Sequence, residues 1–98
     1  MKSVTGIDEI EQSSLTIYPN PVSGQATLTY SIPSSNEVSI TILNLLGQQV
    51  KTLMSSPDLK AGTYHITIDA SSFNPGIYYC KLNVNNQKAV VKKLIISK

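Results

Sequence analysis

The chain has 98 residues, of which 41% are hydrophobic, and a net charge of +2. This is enough for one small globular domain and argues against disorder. All eight basic residues are lysines. Because arginine is the residue that makes bidentate contacts to bases and phosphates, we expect no nucleic-acid partner. With a single cysteine, no intramolecular disulfide is possible, so packing alone must hold the domain together.

Residues 1–14 are polar and acidic, and we predict a flexible linker or an arm foreign to the natural chain, ahead of a folded domain over residues 15–98. They contain no apolar run of the kind that a signal peptide needs. No segment approaches the ~20 apolar residues of a membrane span, so no membrane span is expected. If the domain is exported, its N-terminal signal lies elsewhere, and Met1 then begins a fragment of a longer protein.

Short strands are predicted along the first half of the chain. Residues 15–18 form a brief strand that stops at Pro19-Asn20-Pro21, because two prolines remove two backbone donors and cannot lie inside a sheet. Residues 25–32 and 37–43 alternate with a period of two, separated by a turn at 33–36. The inward positions are Ala26, Leu28, Tyr30, Ile32, Val38, Ile40 and Ile42, whereas Ser39 and Thr41 are predicted to face outward.

The second half begins with a hairpin at residues 44–47, in which Gly47 is expected to take a positive φ. A weaker strand at 50–54 is followed by a loop at 55–62. Further strands are predicted at 63–69, 76–82 and 88–96, joined by a crossover at 70–75 and a turn at Asn85-Asn86. Two adjacent valines and two adjacent lysines disturb the alternation of the last strand, which predicts a bulge there.

About seven strands with turn signals every ten residues predict an all-β fold, an immunoglobulin-like antiparallel β-sandwich. No helical period is sustained over two turns. The shared phase of the strands predicts a core that contains Leu28, Tyr30, Val38, Ile40, Ile42, Tyr64, Ile66, Ile68, Tyr78 and Leu82.

Residues that could carry chemistry are few, and we expect neither an enzyme nor a cofactor or metal site. His65 lies on an outward phase, and Asp69, four residues further on, is ~13 Å away along an extended strand. Cys80 lies on an inward phase, where a free cysteine behaves as a small hydrophobic residue. No nucleophile, phosphate-binding or metal-ligand motif is present.

The one asymmetry of charge is a group of lysines near the C-terminus: Lys88, Lys92, Lys93 and Lys98. Lysines on an edge strand block pairing with other chains, and this protective role is one interpretation. The other is a recognition surface for an acidic partner. The residues alone leave both open.

Several segments, in order, resemble a known family. They are Ile17-Tyr18-Pro19-Asn20-Pro21 followed by Gly24, then residues 38–42, residues 44–50, residues 61–64 with 74–79, and the closing residues 91–96. Together they are similar to the type A C-terminal sorting domains of the type IX (Por) secretion system of Bacteroidetes. Two departures are Asn44, where the family commonly has Asp, and Cys80, where an aliphatic residue is usual.

The resemblance implies a secretion address that carries a larger cargo protein across the outer membrane. The cargo would precede the domain in the same chain, pass through the periplasm and reach the outer-membrane surface or the medium. The partners implied are the outer-membrane translocon and a sortase-like surface peptidase that removes the domain. The candidate recognition residues are Lys92, Lys93, Lys98, Pro19, Asn20, Pro21 and Gly47.

A different class of function is a structural or carbohydrate-binding β-sandwich module of a surface adhesin or secreted enzyme. Such modules often expose aromatic side chains for stacking on sugars. Here tryptophan is absent, and the tyrosines and Phe73 mostly fall on inward phases or beside Pro and Gly.

Overall fold

A computed structural model, which describes residues 13–34, 36–85 and 89–97, has two antiparallel sheets around one core. One sheet has three strands in the order β1-β2-β5, and the other has four in the order β4-β3-β6-β7. The predicted β-sandwich of about seven strands is confirmed. The strands are β1 (Ser14–Tyr18), β2 (Gln25–Ile32), β3 (Asn36–Leu43), β4 (Gln49–Leu59), β5 (Gly62–Asp69), β6 (Gly76–Val84) and β7 (Val90–Ile96).

The core consists of the residues on the inward phase of each strand, as the period-two pattern predicts. None of the ten predicted core residues is exposed: seven are buried, and Tyr64, Ile66 and Tyr78 are half-buried. Tyr64 and Ile66 lie on β5, an edge strand of the three-stranded sheet, where a side chain has a neighbouring strand on one side only. The structure adds Val22 and Phe73, which lie outside the strands.

Thr41 departs from the prediction in exposure, because only 9% of its surface is accessible although it lies on the outer phase of β3. β3 is an interior strand, and Thr41 lies between Thr52 of β4 and Lys81 of β6 in the same row. A short side chain flanked on both sides is shielded by its neighbours. The period of a strand therefore predicts the face on which a residue lies but not how exposed it is.

The predicted loop at residues 55–62 is wrong, because β4 continues to Leu59. Eleven residues of β4 pair with eight of β3, and the pairing shifts register at three places. One shift falls between Ser56 and Leu59 and accommodates Pro57, which a β-ladder tolerates at an irregularity of an edge strand. Each shift resets the alternation, and this is why the sequence pattern did not reveal the full strand.

The predicted bulge in the last strand is also wrong, because β7 pairs regularly with β6 from Val90 to Ile96. The disturbed alternation has another cause. Lys92 is paired with the buried Cys80 and so takes the inward phase, yet it remains exposed because β7 is an edge strand. The side chain of Lys93, the next residue, projects from the opposite face of the strand.

The hairpin between β3 and β4 has the predicted backbone: Gly47 has a φ of +83°. Gly62 and Gly76 also have positive φ values. A Cβ atom at Gly47 would meet nothing within 4 Å, so only the backbone conformation favours glycine there.

We expect Gly47→Val to lower the free energy of unfolding by about 1–3 kcal/mol, since a β-branched residue is strained at positive φ. Urea denaturation measures the effect. Gly24→Val is the matched control, because a Cβ at Gly24 also meets nothing within 4 Å but its φ is not in the strained region. Equal unfolding midpoints for the two variants would contradict the prediction.

The two ends of the sandwich differ in what they carry. At one end, here called the corner end, lie residues 19–22, the hairpin at 44–48, the crossover at 70–75 and the last residue of β7, Ile96. The backbone N–H of Ala70 donates to the carbonyl of Gly24 and fastens the crossover to the start of β2. The opposite end, here called the arm end, holds the start of β1 and the turn at residues 60–61.

Candidate recognition site

The segment at residues 19–22, here called the corner, binds the outer edge of β7. The Asn20 side chain supplies two hydrogen bonds: its Nδ2 donates to the carbonyl oxygen of Lys93 at 2.8 Å, and its Oδ1 accepts from the N–H of Ile95 at 3.0 Å. The Val22 backbone follows, donating to the Ile95 carbonyl and accepting from the Ser97 N–H, both at 2.8 Å. The corner therefore extends the four-stranded sheet by a short parallel bridge.

The sequence explains why Asn20 makes these contacts. Pro19 and Pro21 have no N–H and a fixed φ, so neither can act as a strand residue. Asn20 lies between them, and its side-chain amide carries one donor and one acceptor, the same pair of groups that a peptide unit offers to a sheet edge. Both X–Pro bonds of the corner are cis. These residue types suit Asn20 to pair with an open strand edge, and the fold supplies the edge of β7.

The corner also contributes to the core. Val22 is fully buried, and Ile96, its partner in the parallel bridge, is almost so. By contrast, Tyr18, at the start of the corner, is 80% exposed. Sequence reasoning missed Val22; the available signal was that it is the one apolar residue between Pro21 and Gln25.

The lysines of the predicted cluster do not form one patch in the described part of the chain. Lys92 and Lys93 are both exposed but project from opposite faces of β7. Lys88 and Lys98 lie outside the described residues. A second lysine shares the row of Lys92. Lys51 lies at the β4 edge, opposite Ile42, with its Nζ 5.8 Å from the Phe73 ring centroid. Both edges of the four-stranded sheet thus carry an inward-phase lysine, a known protection against edge pairing.

The hairpin at 44–48 is organised by the Asn44 side chain. Its Oδ1 accepts from the N–H groups of Leu46 at 2.9 Å and Gln48 at 3.0 Å, and its Nδ2 donates to Oε1 of Gln48 at 3.0 Å. An aspartate would keep the two backbone contacts but could not donate the third bond. The departure from the motif at Asn44 therefore preserves the turn and adds a link across it. Gly47 lies at the corner end, and two strand spacings, about 10 Å, separate β3 from β7.

Outside the corner, the side chains that could be reactive are Cys80 and His65, and neither is placed to do chemistry. Cys80 is completely buried, and burial raises the pKa of its thiol to about 12, which keeps it neutral and unreactive. His65 is exposed on β5, and its Nδ1 lies 3.0 Å from Oγ1 of Thr29 on the neighbouring strand. Within residues 13–34, 36–85 and 89–97 no three His, Cys, Asp or Glu side chains come together. No helix in the same ranges is long and apolar enough to cross a membrane.

The comparison with protein families decides between the two classes of function. The model of a family described as the secretion system C-terminal sorting domain matches residues 16–97. The chain belongs to this family. The sorting domain is a C-terminal signal for type IX secretion, and the alternative of a structural or sugar-binding module is not favoured. Among curated proteins, none gives a significant match.

Proposed function

We propose that the outer-membrane translocon of type IX secretion recognises this sorting domain through the corner and the adjoining edge of β7. In this scheme the domain does no chemistry itself. It carries a cargo joined at its N-terminal side from the periplasm to the outer-membrane surface or the medium. A sortase-like peptidase then cuts the segment that precedes β1.

The proposal rests on the contact between Asn20 and β7. The two hydrogen bonds of Asn20 join residues that are 73 and 75 positions apart in the chain. Such a surface exists only after the domain has folded. A translocon that binds it therefore distinguishes a folded sorting domain from an unfolded chain.

The position of the cargo supports the same surface. β1 begins at the arm end with Ser14 and reaches the corner end with Tyr18, about 13 Å further along. A cargo joined ahead of β1 therefore attaches at the opposite end from the corner. The corner and the C-terminal half of β7 stay open to a partner while the cargo is attached.

The charge of β7 suggests the chemistry of that partner. Lys92 and Lys93 are exposed on either side of the strand, next to the bonds of Asn20. Exposed cations at the edge of a docking surface speed the encounter with an acidic partner more than they add to its final affinity. We therefore expect the translocon surface to be acidic.

The test is an export assay with residues 15–98 fused to a periplasmic reporter in a strain that has type IX secretion. We expect Lys92→Glu combined with Lys93→Glu to leave the reporter in the periplasm. The free energy of unfolding of the purified variant is expected to stay within about 0.5 kcal/mol of the wild-type value, since both lysines are exposed. Each single variant shows which face of β7 matters, and Lys60→Glu at the arm end is the control for charge reversal.

Two results would contradict parts of the proposal. If the doubly reversed variant is secreted at the wild-type level, the two lysines only protect the strand edge. The remaining recognition candidates are then Pro19, Asn20, Pro21 and Gly47. If a strain without the translocon releases the wild-type fusion undiminished, the domain is not exported by the proposed route.

A further inference from the structure

The outer faces of the two sheets have opposite character. On the three-stranded sheet, the register brings polar side chains into rows, such as Thr16, Thr29 and His65. On the four-stranded sheet, the rows nearest the corner end are apolar: Leu43 lies beside Tyr79, and Ile77 beside Ile95. These four side chains are not buried, so this face presents apolar surface to solvent.

The hairpin that follows Leu43 adds two exposed apolar side chains at the same end of the sheet. Leu45 is 65% exposed and Leu46 is 83% exposed, although each bears an aliphatic side chain. The bonds of Asn44 and the positive φ of Gly47 fix the backbone of the hairpin. A fixed backbone lowers the conformational entropy lost when the two leucines enter a pocket. We call the combined surface the apolar face: Leu43, Leu45, Leu46, Ile77, Tyr79 and Ile95.

In the part of the chain that the structure describes, the charges next to the apolar face have one sign. Lys93 follows Tyr79 in the same row, and Lys81 lies in the next row, between Thr41 and Val91. Among the described residues, the carboxylates on the four-stranded sheet are Glu37 of β3 and Asp58 of β4, and Glu37 is six residues before Leu43, about 20 Å away. A complementary partner therefore has an apolar groove with carboxylates at its rim.

The size of the apolar face indicates a brief interaction. Three strands across and two rows along, together with the hairpin, cover about 15 by 20 Å, or roughly 300 Å². Stable complexes bury about 800 Å² on each partner, and apolar patches of a few hundred Å² often mark a functional contact. A contact of this size suits a signal that must be released after use.

We infer that the apolar face docks into an acid-rimmed apolar groove of a protein of the secretion machinery, with Leu45 and Leu46 as its anchors. This inference rests on the proposed function and names a second surface, which adjoins the corner at Ile95 of β7. A protein groove fits better than a lipid bilayer, because the hairpin that bears both anchors carries no cation: residues 44–50 are uncharged, and Lys81 and Lys93 lie on β6 and β7. Segments that bind a lipid surface usually carry apolar side chains and cations together.

The test uses the same reporter fusion with Leu45→Ser combined with Leu46→Ser. Because both side chains are exposed, the variant is expected to melt like wild type, while export falls at least tenfold. Lys81→Glu is expected to lower export as well. The matched control is Thr16→Ser combined with Thr67→Ser, which changes two exposed side chains on the opposite outer face and is expected to export normally.

The outcomes separate the two proposals. If the wild-type fusion depends on the translocon but the doubly substituted leucine variant is exported at the wild-type rate, the apolar face is not a docking site and the proposed function stands. If the wild-type fusion does not depend on the translocon, the proposed function fails first. If the purified domain binds phosphatidylglycerol vesicles and this binding requires Leu46, the partner of the apolar face is a membrane and not a protein groove. A dimer that the leucine variant dissociates would replace it by a second copy of the chain.

Discussion

Ile40→Ala is expected to lower the free energy of unfolding by about 3–4 kcal/mol. Ile40 is completely buried on the interior strand β3, between Met54 of β4 and Leu82 of β6. Its truncation removes apolar contacts and leaves a cavity that strands on both sides hold open. A domain of this length is stable by only about 5–15 kcal/mol, so the loss is a large share of the total.

Urea denaturation followed by circular dichroism measures this change. Val91→Ala is the control, because Val91 is 50% exposed on the edge strand β7 and its truncation is expected to change stability by less than about 0.5 kcal/mol. A similar loss in both variants would mean that the two faces of the four-stranded sheet are wrongly assigned.

Removal of residues 94–98 is expected to abolish folding. Leu94 and Ile96 are fully buried, and each loses about 1.5–3 kcal/mol of burial energy. Pairing with β6 at three positions and the bonds to Asn20 and Val22 are lost as well, at about 1 kcal/mol for each bond. The sum is comparable to the total stability of a domain of this size.

A proton–nitrogen correlation spectrum of the truncated domain is expected to show the narrow amide dispersion of an unfolded chain. Ile96→Val is the matched control, since it keeps the strand and its hydrogen bonds and is expected to cost only about 0.5–1.5 kcal/mol. A well-dispersed spectrum of the truncated chain would show that β7 is dispensable for folding. Loss of export after such a truncation reports on folding, whereas charge reversal on a folded domain reports on recognition.

The fold class and most of the core could be predicted because burial follows a local period. In β2, residues Ala26, Leu28, Tyr30 and Ile32 show the pattern without interruption, and all four are buried. β4 could not be predicted in full, because three register shifts break its period. These shifts depend on pairing with β3, which no local window contains.

The candidate site was less predictable than the fold, because it is assembled from distant segments. The sequence singled out Asn20 as part of a proline-rich corner and Lys93 as part of a basic group. Nothing in either segment indicates that their atoms lie 2.8 Å apart. Likewise, Lys92 and Lys93 are adjacent in sequence, but the strand period places them on opposite faces of β7.

Because Val22 is bridged to Ile96, the domain can fold only after its last strand has been synthesised. The corner is made before β7, the last strand of the fold, so their contact forms only after the ribosome has passed Ile96. A protein whose translation stops earlier lacks the folded sorting domain, however well its other parts have formed. If the translocon reads the folded corner as proposed, such an incomplete product is not exported.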